Sequence, residues 1–216
     1  MLKAVIFDMD GVIFDTEKLL LKCWKKAGLK YNLDLKDEEI SNFRGTTFET
    51  GKKIFEKIYP NVNYLEIREE REKLKDEYIA KNGLPIKEGI EDFLKYIKEK
   101  GLKIGLASST KQQIVMKYLI DSKLAKYFDC IICGDMIKNG KPEPDIYIEV
   151  CQSLNINTED AIVFEDSKNG ILAGYKAGCN VVMVIDIDEY FEETEKFILG
   201  KIKNYKEAEK FINMEG

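Results

Sequence analysis

Two aspartates one residue apart, Asp8 and Asp10, close the apolar run Ala4-Val5-Ile6-Phe7 and are followed by Gly11. Paired carboxylates in such a place can bind a hard cation such as Mg2+ through oxygen. They can also divide labour, one attacking as a nucleophile while the other moves protons. A solvated strand end that happens to carry acids is the plainer alternative, so the pair has to be weighed with the rest of the chain. Ser108-Ser109-Thr110-Lys111 lead from a second apolar run into a helical pattern, whose N-terminus would offer backbone N–H groups and a favourable dipole to phosphate. Lys141 lies in Asn139-Gly140-Lys141-Pro142-Glu143-Pro144-Asp145, after a turn and held by prolines. Glu165-Asp166-Ser167 again place acids at the start of a helix. Taken singly, each has an ordinary use: an N-cap for Ser109 or Thr110, a helix-dipole partner for Glu165 or Asp166, a surface charge for Lys141.

The elements that carry these residues argue against coincidence. Ala4–Phe7 reads as a buried strand, and Asp15 or Thr16 can cap a helix in which Leu19, Leu20, Cys23, Trp24 and Ala27 recur at helical spacing. From there to about Asn82 the pattern is helical only: Asp37–Phe43, Phe48–Tyr59 and a charged stretch from Tyr64 to Lys81. The run Glu66–Lys75 could be a binding tract, but it reads as a solvated helix face. Asn82-Gly83-Leu84-Pro85 ends this section, because glycine stops a helix and proline prevents its restart. Strands and helices then alternate: helix 88–100, strand 102–107, helix 111–121, strand 130–133, a helix from about Pro144, strand 161–164, helix 167–177 and strand 181–185. That rhythm predicts an α/β fold with a doubly wound parallel sheet. In such a sheet the carboxyl ends of all strands lie along one edge, so acids, hydroxyls and lysine converge there. The expected organisation is a core of residues 1–15 and 83–216 with a helical cap, residues 16–82, inserted after the first strand. Asn204 with Glu207 three residues on predicts a capped final helix.

Composition narrows the chemistry. The 216 residues carry no histidine, which excludes an imidazole base and a His-rich metal site. A net charge of −5 with no basic face argues against nucleic acid. The cations are mostly lysines, with arginine only at 44, 68 and 71. Five scattered cysteines, Cys23, Cys130, Cys133, Cys151 and Cys179, fit reduced thiols in a cytoplasm. Cys130 and Cys133 have CxxC spacing but fall in a strand pattern, where positions three apart face opposite ways, so packing is the expected role. The opening apolar run, broken by Asp8, is too short for a signal peptide or membrane span, and a cytoplasmic protein without a membrane partner is expected.

Asp8-x-Asp10-Gly11-Val12, Ser108, Lys141-Pro142 with Pro144-Asp145, and Glu165-Asp166-Ser167 together resemble the four ordered motifs of the haloacid dehalogenase-like (HAD) hydrolases. The resemblance spans nearly the whole chain and is closest to the helical-cap subgroup that contains β-phosphoglucomutase and many small-molecule phosphatases. It implies a Rossmann-like core in which Asp8 attacks phosphorus and Asp10 acts as general acid and then base. It further implies Mg2+ held by Asp8, the Asp10 carbonyl and Asp166, with Glu165 as a nearby or water-mediated ligand. Ser108, with Ser109 beside it, and Lys141 would bind phosphoryl oxygens, and Asp145 would orient Lys141. Arg44-Gly45 occupies the family's substrate-specificity loop, with Phe48 three residues past its glycine. Leu20 and Phe48 stand where β-phosphoglucomutase has a histidine and an arginine, which favours hydrolysis over a phosphohexose mutase. The Gly170–Gly178 segment also matches the family, and its small residues are expected to let a helix approach the sheet, with Gly178 as its cap. The expected activity is phosphatase action by a monomer on a small phosphorylated metabolite such as a sugar phosphate. The alternatives are the mutase and a non-catalytic binding module.

Overall fold

The structure is a computed structural model describing residues 1–43, 48–186 and 192–213, the side chains of 41–43, 48–50 and 192 excepted. It divides into two compact units, Met1–Asp15 with Ile86–Gly216, and Thr16–Pro85.

The first unit begins with β1 (Ala4–Phe7), whose four residues are all buried. In the second unit follow α1 (Thr16–Lys30), α2 (Asp37–Phe43), α3 (Phe48–Ile58) and α4 (Tyr64–Asn82). The first unit then resumes with α5 (Ile90–Glu99), β2 (Lys103–Ser108), α6 (Gln112–Asp121), β3 (Cys130–Cys133), α7 (Asp145–Ser153), β4 (Ala161–Glu165), α8 (Lys168–Lys176), β5 (Asn180–Val184), β6 (Gly200–Ile202) and α9 (Glu209–Ile212). Every strand pairing is parallel, in the order β3-β2-β1-β4-β5-β6. The chain therefore starts at the middle of the sheet, builds outward on one side to β3, and returns to build outward on the other. The place where that order reverses is where an open α/β sheet opens a crevice at its carboxyl edge.

Period-two alternation sorts β1 between two cores. Ala4 and Ile6 pack with Ile146, Tyr147 and Val150 of α7 and Ile171 and Ala173 of α8. Phe7 points the other way, stacking on Phe164 at 5.3 Å between ring centroids and meeting Phe93 of α5 edge-on at 6.0 Å. Covering both faces explains why these strands read as continuous apolar runs. β6 is three residues long and was not anticipated; the short strand is held by pairing with β5. The tail also differs from expectation. Asn204 caps a single 3-10 turn, Tyr205–Glu207, before the four-residue α9, because the Tyr205 hydroxyl is drawn into the core to donate to the Val12 carbonyl at 2.6 Å.

The helical unit has its own core of Trp24, Ala27, Leu35, Ile40, Phe55, Tyr64 and Ile67. Trp24 stacks on Tyr64 at 6.0 Å, and the Arg71 guanidinium lies 4.8 Å from the indole. Arg71 is nine-tenths buried, a departure from the solvated face expected for Glu66–Lys75. Burial, with Arg68 beside it, pulls Arg71 down to about 10. All five cysteines are free, with Cys130, Cys151 and Cys179 packed in the α7–α8 side of the core.

Candidate active site

The site starts from sheet register. Phe7 of β1 is level with Leu106 of β2 and Phe164 of β4, so the next residue on each strand, Asp8, Ala107 and Glu165, shares one rung at the carboxyl edge. The Asp8 N–H donates to the Phe164 carbonyl at 3.0 Å, which carries the pairing one step past the strand. Asp8 is buried, and Glu165 has no exposed surface at all.

Lys141 joins them from the loop before α7. Its ammonium donates to Asp8 Oδ1 at 2.5 Å, to Glu165 Oε1 at 2.7 Å and to the Ala107 carbonyl at 3.2 Å. All three donor positions are thereby used, and the lysine side chain is 7% exposed, so this is a buried ion cluster and not a surface charge. Burial opposes the charge on Lys141, but Asp8, Glu165 and Tyr147 outweigh it and hold the group well above the ordinary lysine value. Burial pushes Asp8 up to about 8, with Glu165 and Asp10 adding to it and Lys141 pulling against it.

Glu165 is fully engaged. Besides Lys141, its Oε1 accepts from the Tyr147 hydroxyl at 2.9 Å. Its Oε2 accepts from the Ser167 N–H and hydroxyl, each at 3.0 Å. Ser167 in turn caps α8 by accepting from the Gly170 N–H at 3.0 Å. A Cβ on Gly170 would lie 1.7 Å from Glu165 Oε1, so that glycine clears space for the carboxylate. Gly174 does the work expected of the whole segment: a Cβ there would meet Val181 at 2.8 Å, and its absence brings α8 onto the sheet. Gly178 follows the helix with φ +85°, as the cap reading requires.

Asp10 is half-buried and accepts a hydrogen bond from Thr110 Oγ1 at 3.1 Å. Thr110, weighed in the sequence only as a helix cap, thus reaches across from β2 to fix Asp10. Ser108 is buried, and its hydroxyl accepts from the Thr110 N–H at 3.1 Å. Ser109 is exposed, with its backbone against Gly134, where a Cβ would come within 2.3 Å of the Ser109 carbonyl oxygen. The start of α6 was expected to offer free N–H groups to phosphate, but the Gln112 N–H already donates to Asp135 at 2.9 Å. Asp145 was expected to orient Lys141; its carboxylate accepts from Asn139 at 2.9 Å, and the carboxylates on Lys141 are Asp8 and Glu165. The reason is positional: Asp145 opens α7, while Tyr147, two residues on, points into the core.

Carboxylate oxygens of Asp8, Glu165 and Asp166 lie within 4.8 Å of one another. Asp166 fits because Gly11 has no side chain, since a Cβ there would sit 2.0 Å from Asp166 Oδ2. Three carboxylates against one lysine leave a net negative, all-oxygen cluster, which suits a hard divalent cation such as Mg2+. The Asp10 carboxylate stands outside that cluster, on Thr110. Arg44 and Gly45 lie outside the described residues; Phe48 opens α3, and its side chain is likewise outside them. Leu20 is half-buried on α1. Among the described residues, no helix is long and apolar enough to cross a membrane.

Residues 5–184 match the family described as haloacid dehalogenase-like hydrolase. A phosphorylated carbohydrates phosphatase of Thermotoga maritima is 35% identical over 182 residues, covering 82% of each chain. The β-phosphoglucomutase of Bacillus subtilis is 30% identical over 193 residues, covering 85% of this chain and 83% of its own. The crystal structure of β-phosphoglucomutase from Clostridium difficile superposes with a TM-score of 0.75 at 27% identity, covering 98% of this chain and 96% of that one.

Proposed function

The chain belongs to the haloacid dehalogenase-like hydrolases and is a phosphatase, and we propose that it releases phosphate from a small phosphorylated metabolite, a sugar phosphate, through an aspartyl phosphate on Asp8. The observation that carries the reading is the buried Asp8–Lys141–Glu165 cluster at the sheet's carboxyl edge, with Asp10 two residues from Asp8 and separately held by Thr110.

Asp8 attacks phosphorus, a P–O bond to the substrate breaks, and the leaving oxygen takes the proton carried by Asp10. A water then gives its proton to Asp10 as its oxygen attacks the same phosphorus, and the Asp8–phosphorus bond breaks to release phosphate and restore both carboxyl groups. The division needs Asp8 ionised and Asp10 protonated; the Lys141 ammonium on Asp8 Oδ1 favours the ionised form against the burial that opposes it, and a bound cation would favour it further. Lys141 offsets charge on the phosphoryl oxygens, and Ser108, whose hydroxyl proton is free to rotate, donates to one of them. Asp8 and Asp166, with the Asp10 carbonyl, would hold Mg2+, which supplies charge neutralisation of the phosphoryl group. The helical unit, residues 16–82, is the part to which substrate selection is assigned in this reading, with Arg44 as a clamp for a second polar group.

A sugar phosphate is the substrate favoured by likeness to the Thermotoga maritima phosphatase. Likeness to the Bacillus subtilis mutase favours the second reading, interconversion of glucose phosphates, against which Leu20 and Phe48 stand. Phosphate release from a panel of sugar phosphates, nucleotides and phosphoglycolate, with Mg2+ or chelator, separates the two. Metal-dependent release from sugar phosphates is expected; isomerisation of glucose 1-phosphate without free phosphate would replace this reading with the mutase.

A further inference from the structure

Lys87 has no part in the reaction above, yet its side chain is only 12% exposed and its ammonium sits on two carboxylates. It lies 2.9 Å from Asp15 Oδ1 and donates to Asp186 Oδ1. Asp186 follows β5 at the carboxyl edge of the sheet, and its side chain is 3% exposed. The backbone carries this ion cluster to Asp10. The Lys87 N–H donates to the Ile13 carbonyl at 2.9 Å, and Ile86 pairs antiparallel with Phe14. Phe14 in turn bridges to Asp10, its carbonyl accepting from the Gly11 N–H at 2.8 Å. Three short segments, 10–11, 13–14 and 86–87, therefore form one ladder with Asp10 at one side and Lys87 at the other. All of these residues belong to the first unit.

We propose that Lys87 is a positioning residue for Asp10: pinned between Asp15 and Asp186, it sets the ladder that aims the Asp10 carboxyl at the leaving oxygen. This rests on the phosphatase reading. Thr110 holds only the Asp10 carboxylate, whereas the ladder holds its backbone, so the two supports are independent. Without the ammonium, Asp15 and Asp186 meet as like charges in a nearly dry place, which drives them apart and loosens the ladder between them. A general acid that is poorly aimed fails most with a leaving group that needs its proton. A sugar alkoxide is such a group. A p-nitrophenolate is not, because it departs as a stable anion. The ion cluster should therefore matter for sugar phosphates and hardly at all for an aryl phosphate.

The test measures kcat/KM, which reports the first phosphoryl transfer, on the best sugar phosphate of the panel and on p-nitrophenyl phosphate. Asp10→Asn sets the scale of the contrast between the two substrates, and melting temperatures follow the fold. Lys87→Met is expected to lose about 30-fold on the sugar phosphate and less than about 3-fold on the aryl ester. Asp186→Asn keeps the shape and should lose about 5-fold with the same contrast. Lys87→Arg keeps the charge and should stay within about 3-fold of wild type on both. Wild-type kcat/KM on the sugar phosphate in a folded Lys87→Met would overturn the proposal, as would equal losses on the two substrates. If Lys87→Met does not fold, Asp186→Asn decides, and a loss without contrast overturns the proposal there too. Activity surviving in Asp8→Asn, or no contrast in Asp10→Asn, would instead overturn the phosphatase reading on which this one rests.

Discussion

Gly11 and Asp166 occupy one space: a single methyl on Gly11 would fall 2.0 Å from Asp166 Oδ2. The glycine after the two aspartates also has φ +79°, a conformation other residues adopt with strain. Gly11→Ala should therefore displace Asp166 as well as strain the loop. The expected result is a fall of about 10–100-fold in Mg2+ affinity, measured by calorimetry, with a stability loss of about 1–3 kcal/mol. Unchanged affinity would show that Asp166 has no part in holding the cation.

Lys141 neutralises two buried carboxylates at once. Lys141→Met leaves Asp8 and Glu165 facing each other without their cation, an arrangement that costs about 3–5 kcal/mol in buried pairs. Chemical denaturation in chelator should show that loss, and phosphate release should fall by at least about 100-fold. A variant as stable as wild type would mean that the cluster is more open to water than its 7% lysine exposure implies.

Thr110 holds Asp10 from the end of β2 at 3.1 Å. Thr110→Val keeps the shape and removes the hydrogen bond, so Asp10 is less well aimed. A fall in kcat of roughly 10-fold with little change in stability is expected from steady-state kinetics and a melting curve. Wild-type kcat would leave Thr110 as a local cap only.

Asp8 ties stability to pH. Its carboxyl, ordinarily at 3.8, is pushed to about 8 in the metal-free fold, chiefly by burial. An acid whose pKa is higher folded than unfolded binds more protons when folded, so its cost is absent at low pH and grows as pH rises through this window. The metal-free protein should therefore lose stability between about pH 4 and pH 8 through this group. A cation competes with that proton, so Mg2+ should raise the melting temperature more at pH 8 than at pH 5. An equal or smaller shift at pH 8 would contradict it.

The alternation of strand and helix was legible because parallel strands are buried on both faces and so appear as unbroken apolar runs, as in Ala4–Phe7 and Ala161–Phe164. β6 was not, since Gly200-Lys201-Ile202 is too short to show a period. The site acids and Lys141 were legible because they follow strand ends, but their partners were not. Whether Lys141 meets Asp145 nearby or Glu165 further on depends on how α7 turns after Pro144, and on Tyr147 pointing inward while Asp145 stays at the surface. Arg71 shows the same limit in the helical unit, where a charged stretch conceals one cation drawn over Trp24.

The central claim is that Asp8 carries the phosphoryl group. Turnover of a phosphate-labelled sugar substrate, quenched in acid within milliseconds and digested, tests it directly. The account predicts label on the peptide containing Asp8, lost on treatment with base and absent from Asp8→Asn. Label elsewhere, or undiminished phosphate release by a folded Asp8→Asn, would contradict it.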